Sequence, residues 1–366
     1  MYRLKYFNYP KAKGFITAFT VIAALSLGSC AREEEPGDMP PGSESTVIFD
    51  AYLDGSTQTR ASVADVEWLK KNGGYGVFAF DTGSEPYNPN VANGHVPTFM
   101  YNQQVKWASV AGSAEGGKWT YSPEASWSGN NISFFAYAPY TFTFGKEYGV
   151  TALTGKDVPG DPKLTFKVAD KVSGQTDLLY AKAINCMEGA VRFDFKHALA
   201  RISFRQPKVQ LDDNTLIFVN GVTIQSTDFA VSGDLNLRTG AWENLMTQEG
   251  TKYELKETDF VEGKIDGNEA RLTGSDKYLM IIPNGKTTIK ITVSYKVITK
   301  DKNIPGGQSE FINKATRSFE IDFQAGKAYD ISLKLTPAAL EFDAEISDWT
   351  GSDNHELDSS KDSNSK

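Results

Sequence analysis

The segment VRFDFKHALARISF, residues 191–204, carries the clearest structural pattern in the chain. In its first half, apolar and polar residues alternate strictly, which predicts a β-strand with one buried face. The segment IKITVSYKV, residues 289–297, repeats this alternation far along the chain. Two such segments indicate a protein built from half-buried strands.

Short runs rich in β-branched and aromatic residues extend from this segment in both directions. Besides the two segments already quoted, they predict strands at residues 46–53, 75–80, 132–139, 164–168, 177–183, 215–226, 234–238, 277–283, 317–323, 328–335 and 339–349. Pairs such as Asn220-Gly221 and Asn284-Gly285 mark turns between them. Helix signals are few, and the best lies at residues 62–71. The pattern therefore predicts an all-β protein made of sandwiches or barrels.

Composition excludes several classes of function. The 366 residues include 46 acidic and 38 basic side chains, for a formal net charge of -8, with no basic cluster to neutralise phosphates. This balance argues against nucleic acid as a partner. Two cysteines and three histidines leave few ligands for a metal or haem site, so we expect no cofactor. The motifs of metalloproteases, serine hydrolases and dinucleotide enzymes are missing, and we do not expect an enzyme.

The first 29 residues have the pattern of a lipoprotein signal peptide. A basic start precedes an apolar run, residues 14–28, that is too short to span a bilayer. The sequence Leu27-Gly28-Ser29-Cys30 then resembles a bacterial lipobox, which predicts cleavage before Cys30 and attachment of acyl chains, such as palmitate, at Cys30. The alternative is an ordinary signal peptide followed by an incidental cysteine.

The rest of the chain is divided by composition. Residues 30–45 are acidic and rich in Pro, Gly and Ser, and we expect a disordered tether. Residues 46–185 and 186–349 each hold enough strands for a β-sandwich domain. The polar residues 350–366 are expected to form a disordered tail.

Three tryptophans, Trp107, Trp119 and Trp127, fall within one short region. If they were exposed, they could form a platform on which sugars stack. If they were buried, they would anchor the core and hairpins of a sandwich. Burial is favoured, because large aromatic side chains are normally mostly buried.

A series of strand motifs resembles the fimbrillin family, the lipoprotein-derived subunits of type V pili. The most specific is the run FKHALARISF at residues 195–204. The others, in chain order, are GVFAF (76–80), ISFFAYAP (132–139), TDLLYA (176–181), GDLNLRTGAW (233–242), YLMIIP (278–283), IKITVSY (289–295), GKAYDISLKL (326–335) and FDAEISDW (342–349). The resemblance covers residues 47–349, nearly the whole chain after the tether.

This resemblance implies two transthyretin-like β-sandwich domains in tandem, carried to the outer membrane surface as a lipoprotein. It also implies a mechanism. A protease cuts after an arginine near the N-terminus, the first strand leaves, and a strand from a neighbouring subunit fills the open groove. The removable strand would be residues 46–53. Arg60 would be the cleaved residue and Ala61 the new N-terminus, unless Arg60 is merely a turn residue.

The resemblance also implies the donor and the partners. The C-terminal strands at 328–335 and 339–349 are the candidate donors, and the second alternates apolar residues at Leu340, Phe342, Ala344 and Ile346. The expected partners are other fimbrial subunits, the outer membrane through the lipid, and ligands on host or bacterial surfaces. The function implied is a structural or adhesive subunit of a fimbria. The alternative is a non-polymerising surface lipoprotein, either a pilus anchor or a glycan-binding module.

Overall fold

A computed structural model describes residues 45–53, 66–90, 94–110, 116–141, 146–261, 263–265, 267–274, 277–335 and 340–349, except for the side chains of 340–343. Within these ranges the chain is nearly all β, and its strands form sandwich-like sheets, which confirms the predicted fold class. The predicted signal peptide, most of the tether and the tail lie outside the described residues.

The described strands follow one another with little helix between them. In chain order they are β1 (Ile48–Leu53), β2 (Tyr75–Asp81), β3 (Met100–Ser109), β4 (Gly117–Thr120), β5 (Ile132–Ala138), β6 (Gly149–Leu153), β7 (Lys163–Lys167), β8 (Leu179–Cys186), β9 (Ala190–His197), β10 (Ala200–Gln206), β11 (Thr215–Gln225), β12 (Ala230–Asn236), β13 (Trp242–Thr247), β14 (Lys252–Lys256), β15 (Lys264–Ile265), β16 (Ala270–Arg271), β17 (Leu279–Ile281), β18 (Gly285–Lys300), β19 (Gln308–Phe323), β20 (Lys327–Leu335) and β21 (Leu340–Asp348). The helical elements are α1 (Val66–Lys71) and the 3-10 turns Val172–Gly174 and Glu257–Asp259.

These strands form four sheets. The largest has the order β1-β9-β8-β5-β2-β3-β4, with β1 at one edge. A second sheet has the order β16-β10-β20-β21 with β17 beside β10, and β21 lies at its edge. The third has the order β14-β11-β18-β19 with β15 beside β11, and the fourth has the order β13-β12-β7-β6.

The seven-stranded sheet separates two hydrophobic cores. Val77 and Phe134 pack on one side of it in what we name the first core. Their chain neighbours Phe78 and Phe135 pack on the other side in the main core, which the remaining sheets share. Because adjacent residues of a strand face opposite ways, burial on both faces explains why apolar residues occupy successive positions along most of β2 and β5.

The segment 191–204 passes from one sheet to another. Strand β9 alternates buried and exposed residues, as predicted, and pairs with β1 and β8 in the largest sheet. Strand β10 begins the second sheet after the buried pair Ala198 and Leu199. The change of sheet therefore comes at residues 198–199, beyond the domain boundary predicted at 185–186. The predicted boundary falls within β8, which ends at Cys186. Strands β8 and β9, on either side of it, belong to the same sheet.

Strand pairing also crosses the predicted boundary in the fourth sheet, where β7 pairs with β12. The pairing joins residues 163–167 to residues 232–236. The division into two domains stays a prediction. In the structure, two of the sheets contain strands from both predicted domains.

Candidate functional site

Strand β1 lies at the edge of the seven-stranded sheet and pairs in parallel with β9. The register is continuous from Ile48 opposite Ala190 to Leu53 opposite Phe195. A parallel strand joined to the sheet along one ladder has no hairpin connection to its neighbour, so it is held by that ladder and by its side chains.

The inward side chains of β1 and of the residue before it fill the first core. Val47, Phe49, Ala51 and Leu53 are all buried, while the residues between them are exposed. The ring of Phe49 stacks on Phe193 with centroids 5.7 Å apart. It also meets Tyr121 and Phe134 edge to face, at 5.2 and 5.8 Å. Removing β1 would leave an apolar groove along β9, which we name the β1 groove.

The residues just before β1 pair with the chain segment that follows β4. The amide of Val47 donates to the carbonyl of Ala125 at 2.8 Å, and Trp127 N donates to Ser45 O at 3.1 Å. The hydroxyl of Tyr121 donates to the carbonyl of Val47 at 2.7 Å. Residues 45–53 therefore cover one side of the first core.

The outward face of β1 is open to solvent and lies beside one cation. Ile48 and Tyr52 are 57% and 44% exposed. The Arg192 guanidinium lies 4.1 Å from the centroid of the Tyr52 ring and donates to the Asp194 carboxylate at 3.1 Å. That hydrogen bond to Asp194 raises the pKa of Arg192. Arg192 also lies opposite Asp50 in the ladder, so acidic residues face it from both strands.

The predicted donor strand β21 lies at the edge of the second sheet, antiparallel to β20 along its whole length. Ala344 is half-buried against the main core, whereas Ile346 is 55% exposed. The side chains of Leu340 and Phe342 lie outside the description. An ion pair of 2.7 Å joins Glu345 to Arg205.

A buried ring stack secures the end of β21, and sequence reasoning did not anticipate it. The indole of Trp349 stacks on the His197 ring with centroids 3.9 Å apart and planes 6° from parallel. The Trp349 amide donates to Gly326 O at 2.7 Å. His197 Nδ1 hydrogen-bonds the buried Asp177 carboxylate at 2.7 Å, which fixes its ring. In the sequence, a single histidine at the end of an alternating strand is only a weak sign of a buried contact. Nothing local to His197 indicates that Trp349 packs against it.

Comparison with known proteins places these strands in a family. The family described as fimbrillin-like matches residues 59–349, most of the chain. This protein belongs to the fimbrillin-like family. A curated relative, the fimbrium subunit Fim1C of Phocaeicola vulgatus, is 26% identical over 383 residues, covering 93% of this chain and 98% of the relative.

A crystal structure of a fimbrial protein from Bacteroides vulgatus has the same fold. It aligns with a TM-score of 0.67 and 24% identity, over 83% of this chain and 99% of that one. The predicted family and the predicted fold class are both confirmed.

The three tryptophans of this fimbrillin-like chain do not share one exposed surface. Trp127 is buried and meets Phe134 edge to face at 5.9 Å. Trp107 and Trp119 face each other across the β3–β4 ladder, with ring centroids 5.3 Å apart and planes 76° apart. The Lys70 ammonium lies 4.1 Å from the Trp107 ring centroid. Trp127 therefore cannot stack a sugar together with the other two, and a glycan platform would be reduced to the half-buried pair.

The remaining predicted site residues of this fimbrillin-like chain, Cys30, Arg60 and Ala61, lie outside the described residues. Among the residues that are described, no group of His, Cys, Asp and Glu side chains could hold a metal ion. Within the same ranges, no helix is long and apolar enough to cross a membrane.

Proposed function

We propose that this protein is a structural or adhesive subunit of a cell-surface fimbria, assembled by donor-strand exchange after proteolysis. The carrying observation is the position of β1. It lies at a sheet edge and pairs along its length with β9 alone, and its inward residues fill the first core. Only the residues just before it, around the bridge of Thr46 with Ser126, have a described backbone partner on the other side. An edge strand can leave without breaking the order of the strands behind it, and the groove that it leaves can accept another strand.

The release step is proposed at Arg60. Cleavage there would cut the connection between β1 and the rest of the chain, which resumes in the structure at α1. The strand would then be held only by non-covalent contacts. The proposal rests on the family resemblance and on the position of Arg60 shortly after an edge strand.

Burial of the donor would supply the stability of the polymer. A fully buried Val, Leu or Phe side chain contributes about 1.5–3 kcal/mol, so three such side chains in the β1 groove contribute on the order of 5–9 kcal/mol before ordering costs. With β1 in place the groove is filled, and the uncut chain is self-capped. Before cutting, the proposed anchor is the lipid on Cys30 in the outer membrane.

The mature N-terminus of protein sheared from the native cell surface tests this proposal. A start at Ala61 is expected for a polymerising subunit. A lipid-modified Cys30 on all copies would instead indicate the alternative, a tethered anchor or a stand-alone surface lipoprotein that keeps β1.

The variant Arg60→Ala tests the same step in assembly. We expect it to remain a monomer under conditions in which the unchanged chain forms fibres, because β1 stays covalently attached. Arg317→Ala is the matched control, since Arg317 is an exposed arginine of β19 far along the chain, and it should assemble normally. Fibres formed by Arg60→Ala, observed by electron microscopy, would contradict strand release at this residue.

A further inference from the structure

Strand β19 forms a long edge of the third sheet. It runs for 16 residues, from Gln308 to Phe323, and within the described residues the one strand that pairs with it is β18. The ladder between the two strands is continuous from end to end. Among the described strands none lies on the other side of β19, so its backbone N–H and C=O groups on that side can pair with a strand from outside the chain.

The opposite edge of the same sheet is built differently. Strand β14 has only 5 residues, and lysines stand at both of its ends, Lys252 and Lys256. Short length, lysines, prolines and bulges are the features by which proteins keep sheet edges from pairing. Strand β19 is long and contains neither a proline nor a bulge. Apart from its charged side chains, it lacks the features that would prevent pairing.

The main core accounts for only the second half of β19. Ile321 and Phe323 are buried there. In the first half, Phe311 and Ile312 are both largely exposed. Phe311 lies opposite Val297, which the main core buries, so Ile312 points away from that core. The first half of the strand thus continues the ladder while it leaves two large apolar side chains open to solvent.

The charges of this first half are complementary to themselves. Glu310, Ile312 and Lys314 follow one another at two-residue spacing on the face away from the main core, and all three are exposed. Two β19 strands that pair antiparallel about Ile312 set each Glu310 opposite the other copy's Lys314 and set Ile312 opposite Ile312. Cross-strand pairs of opposite charge and of apolar side chains stabilise a sheet. The arrangement is two-fold symmetric, as an interface between identical chains requires.

Other registers lose this match. A shift by one residue would oppose residues of different faces, because side chains alternate along a strand. A centre at Phe311 or Asn313 sets Ile312 opposite Glu310 or Lys314. A centre at Glu310 or Lys314 sets like charges directly against each other, which is destabilising. Among registers centred on residues 308–316, only the one at Ile312 pairs opposite charges between the two strands.

A third charge on the neighbouring strand supports the same arrangement. Lys296 of β18 lies opposite Ile312, and its ammonium is 4.0 Å from the Glu310 carboxylate. In the two-fold pair, each Glu310 would lie between Lys296 of its own chain and Lys314 of the other. Exposed ion pairs contribute little singly, and they contribute more when several charges form a network.

We infer that β19 is a self-association edge, at which residues 308–316 of two copies of this chain pair antiparallel about Ile312. The pairing joins the third sheets of the two copies into one continuous sheet. It does not require the release of β1, which belongs to a different sheet. In a fimbria the same edge would recur in every subunit, so that weak single pairings would add up between fibres lying side by side.

Reversing the charges one at a time tests the pairing. The uncut chain is prepared without its signal peptide and with Cys30→Ser, and its self-association is measured by sedimentation up to about 1 mM. Glu310→Lys and Lys314→Glu should each weaken self-association at least about tenfold, because each turns both attractive pairs into repulsive ones. An equimolar mixture of the two variants should associate at least as strongly as the unchanged chain, since every opposed pair then carries opposite charges again.

Glu320→Lys is the matched control. It makes the same change of charge on the same face of β19, at an exposed position outside the paired segment, and it should associate within about twofold of the unchanged chain. Circular dichroism spectra and thermal transitions confirm that all variants fold. An unchanged chain that stays monomeric at about 1 mM, or a mixture no better than its components, would overturn the inference. Equal weakening by Glu320→Lys would overturn the register.

A disulfide at the symmetry axis provides a second test. In a background of Cys30→Ser and Cys186→Ala, Ile312→Cys places the two thiols directly opposite, with Cα atoms about 4.5–5.5 Å apart, a separation that a disulfide accepts. Thr316→Cys is the control. It keeps both charge pairs, but its two copies would lie about 27 Å apart along the strands.

Under mild oxidation, we expect at least about tenfold more cross-linked dimer from Ile312→Cys than from Thr316→Cys. Equal cross-linking by the two variants would overturn the two-fold axis at Ile312. The test uses uncut chain, so its outcome is separate from that of the proposed function. Failure of cleaved chains to form fibres would contradict donor-strand exchange and leave the pairing of β19 in place.

Discussion

At the scale of single residues, the first core depends on a contrast in size between neighbours on one strand. Phe49 packs among Phe193, Tyr121 and Phe134, whereas Ala51 leaves room for Phe193 opposite it. The alternation in this strand is visible in the sequence. The reason for each size is not, because the rings that surround Phe49 come from β5, β9 and the segment after β4.

Phe49→Ala should destabilise the uncut chain by about 3–5 kcal/mol, because it removes a buried ring from an aromatic cluster and leaves a cavity. Ile48→Ala is the matched control on the same strand. Since Ile48 is 57% exposed, its loss should change the free energy of unfolding by no more than about 0.5 kcal/mol. Denaturant titration of both variants measures the difference. Equal destabilisation by the two would contradict the assignment of inward and outward faces.

At the scale of elements, two edge strands differ in how they are held. Strand β1 is secured along its length by inward side chains. Strand β21 is secured by its ladder to β20 and, at its end, by the stack of Trp349 on His197. Strand β1 is therefore held by its ladder and by a buried inward face, whereas β21 is held by its ladder and by one buried ring stack at its end.

Trp349→Ala should loosen β21 selectively, because it removes the ring stack with His197 and the burial of the indole in the main core. We expect the amides of β21 to exchange with solvent at least about tenfold faster while those of β1 are unchanged. Ser347→Ala, at an exposed position of the same strand, is the control and should leave exchange unaltered. Hydrogen exchange read by mass spectrometry distinguishes the two strands. Equal acceleration in β1 would show that the two edges are not held independently.

Some elements were missed by pattern alone. Strand β3 was not predicted, since Asn102, Gln103 and Gln104 interrupt its apolar residues. Strand β19 was predicted at 317–323 but begins at Gln308, because it pairs with the whole length of β18 in a long hairpin. Its earlier half is mostly exposed, with Phe311 and Ile312 at 59% and 71%, so no buried face marks it in the sequence.

At the scale of the whole molecule, buried tyrosines are expected to make the folded chain less stable at alkaline pH. Burial raises the pKa of Tyr75 and of Tyr137, both of which are fully enclosed. Their neutral forms are favoured in the folded chain, while in the unfolded chain they ionise near pH 10. The contribution of these two tyrosines to stability should therefore be unchanged up to about pH 10 and turn unfavourable as the pH rises above it.

Tyr75→Phe isolates one of these groups. Within the described residues the Tyr75 hydroxyl has no hydrogen-bond partner, so its removal should not destabilise the chain at pH 7. It should also make the loss of stability above pH 10 less steep. Denaturant midpoints of both proteins between pH 8 and 11 provide the measurement. A Tyr75→Phe variant with an unchanged alkaline slope would contradict the enclosed position of this phenol.

The sequence by itself determined the all-β fold class of this protein, its family and the approximate positions of most strands. Alternation and turn residues are local properties, and they can be read without the tertiary structure. Only the tertiary structure decided that β1 is an edge strand parallel to β9, that Phe193 faces Ala51, and that sheets cross the predicted boundary. Those facts depend on which strands pair across long chain separations, and pairing is decided by how whole faces pack together.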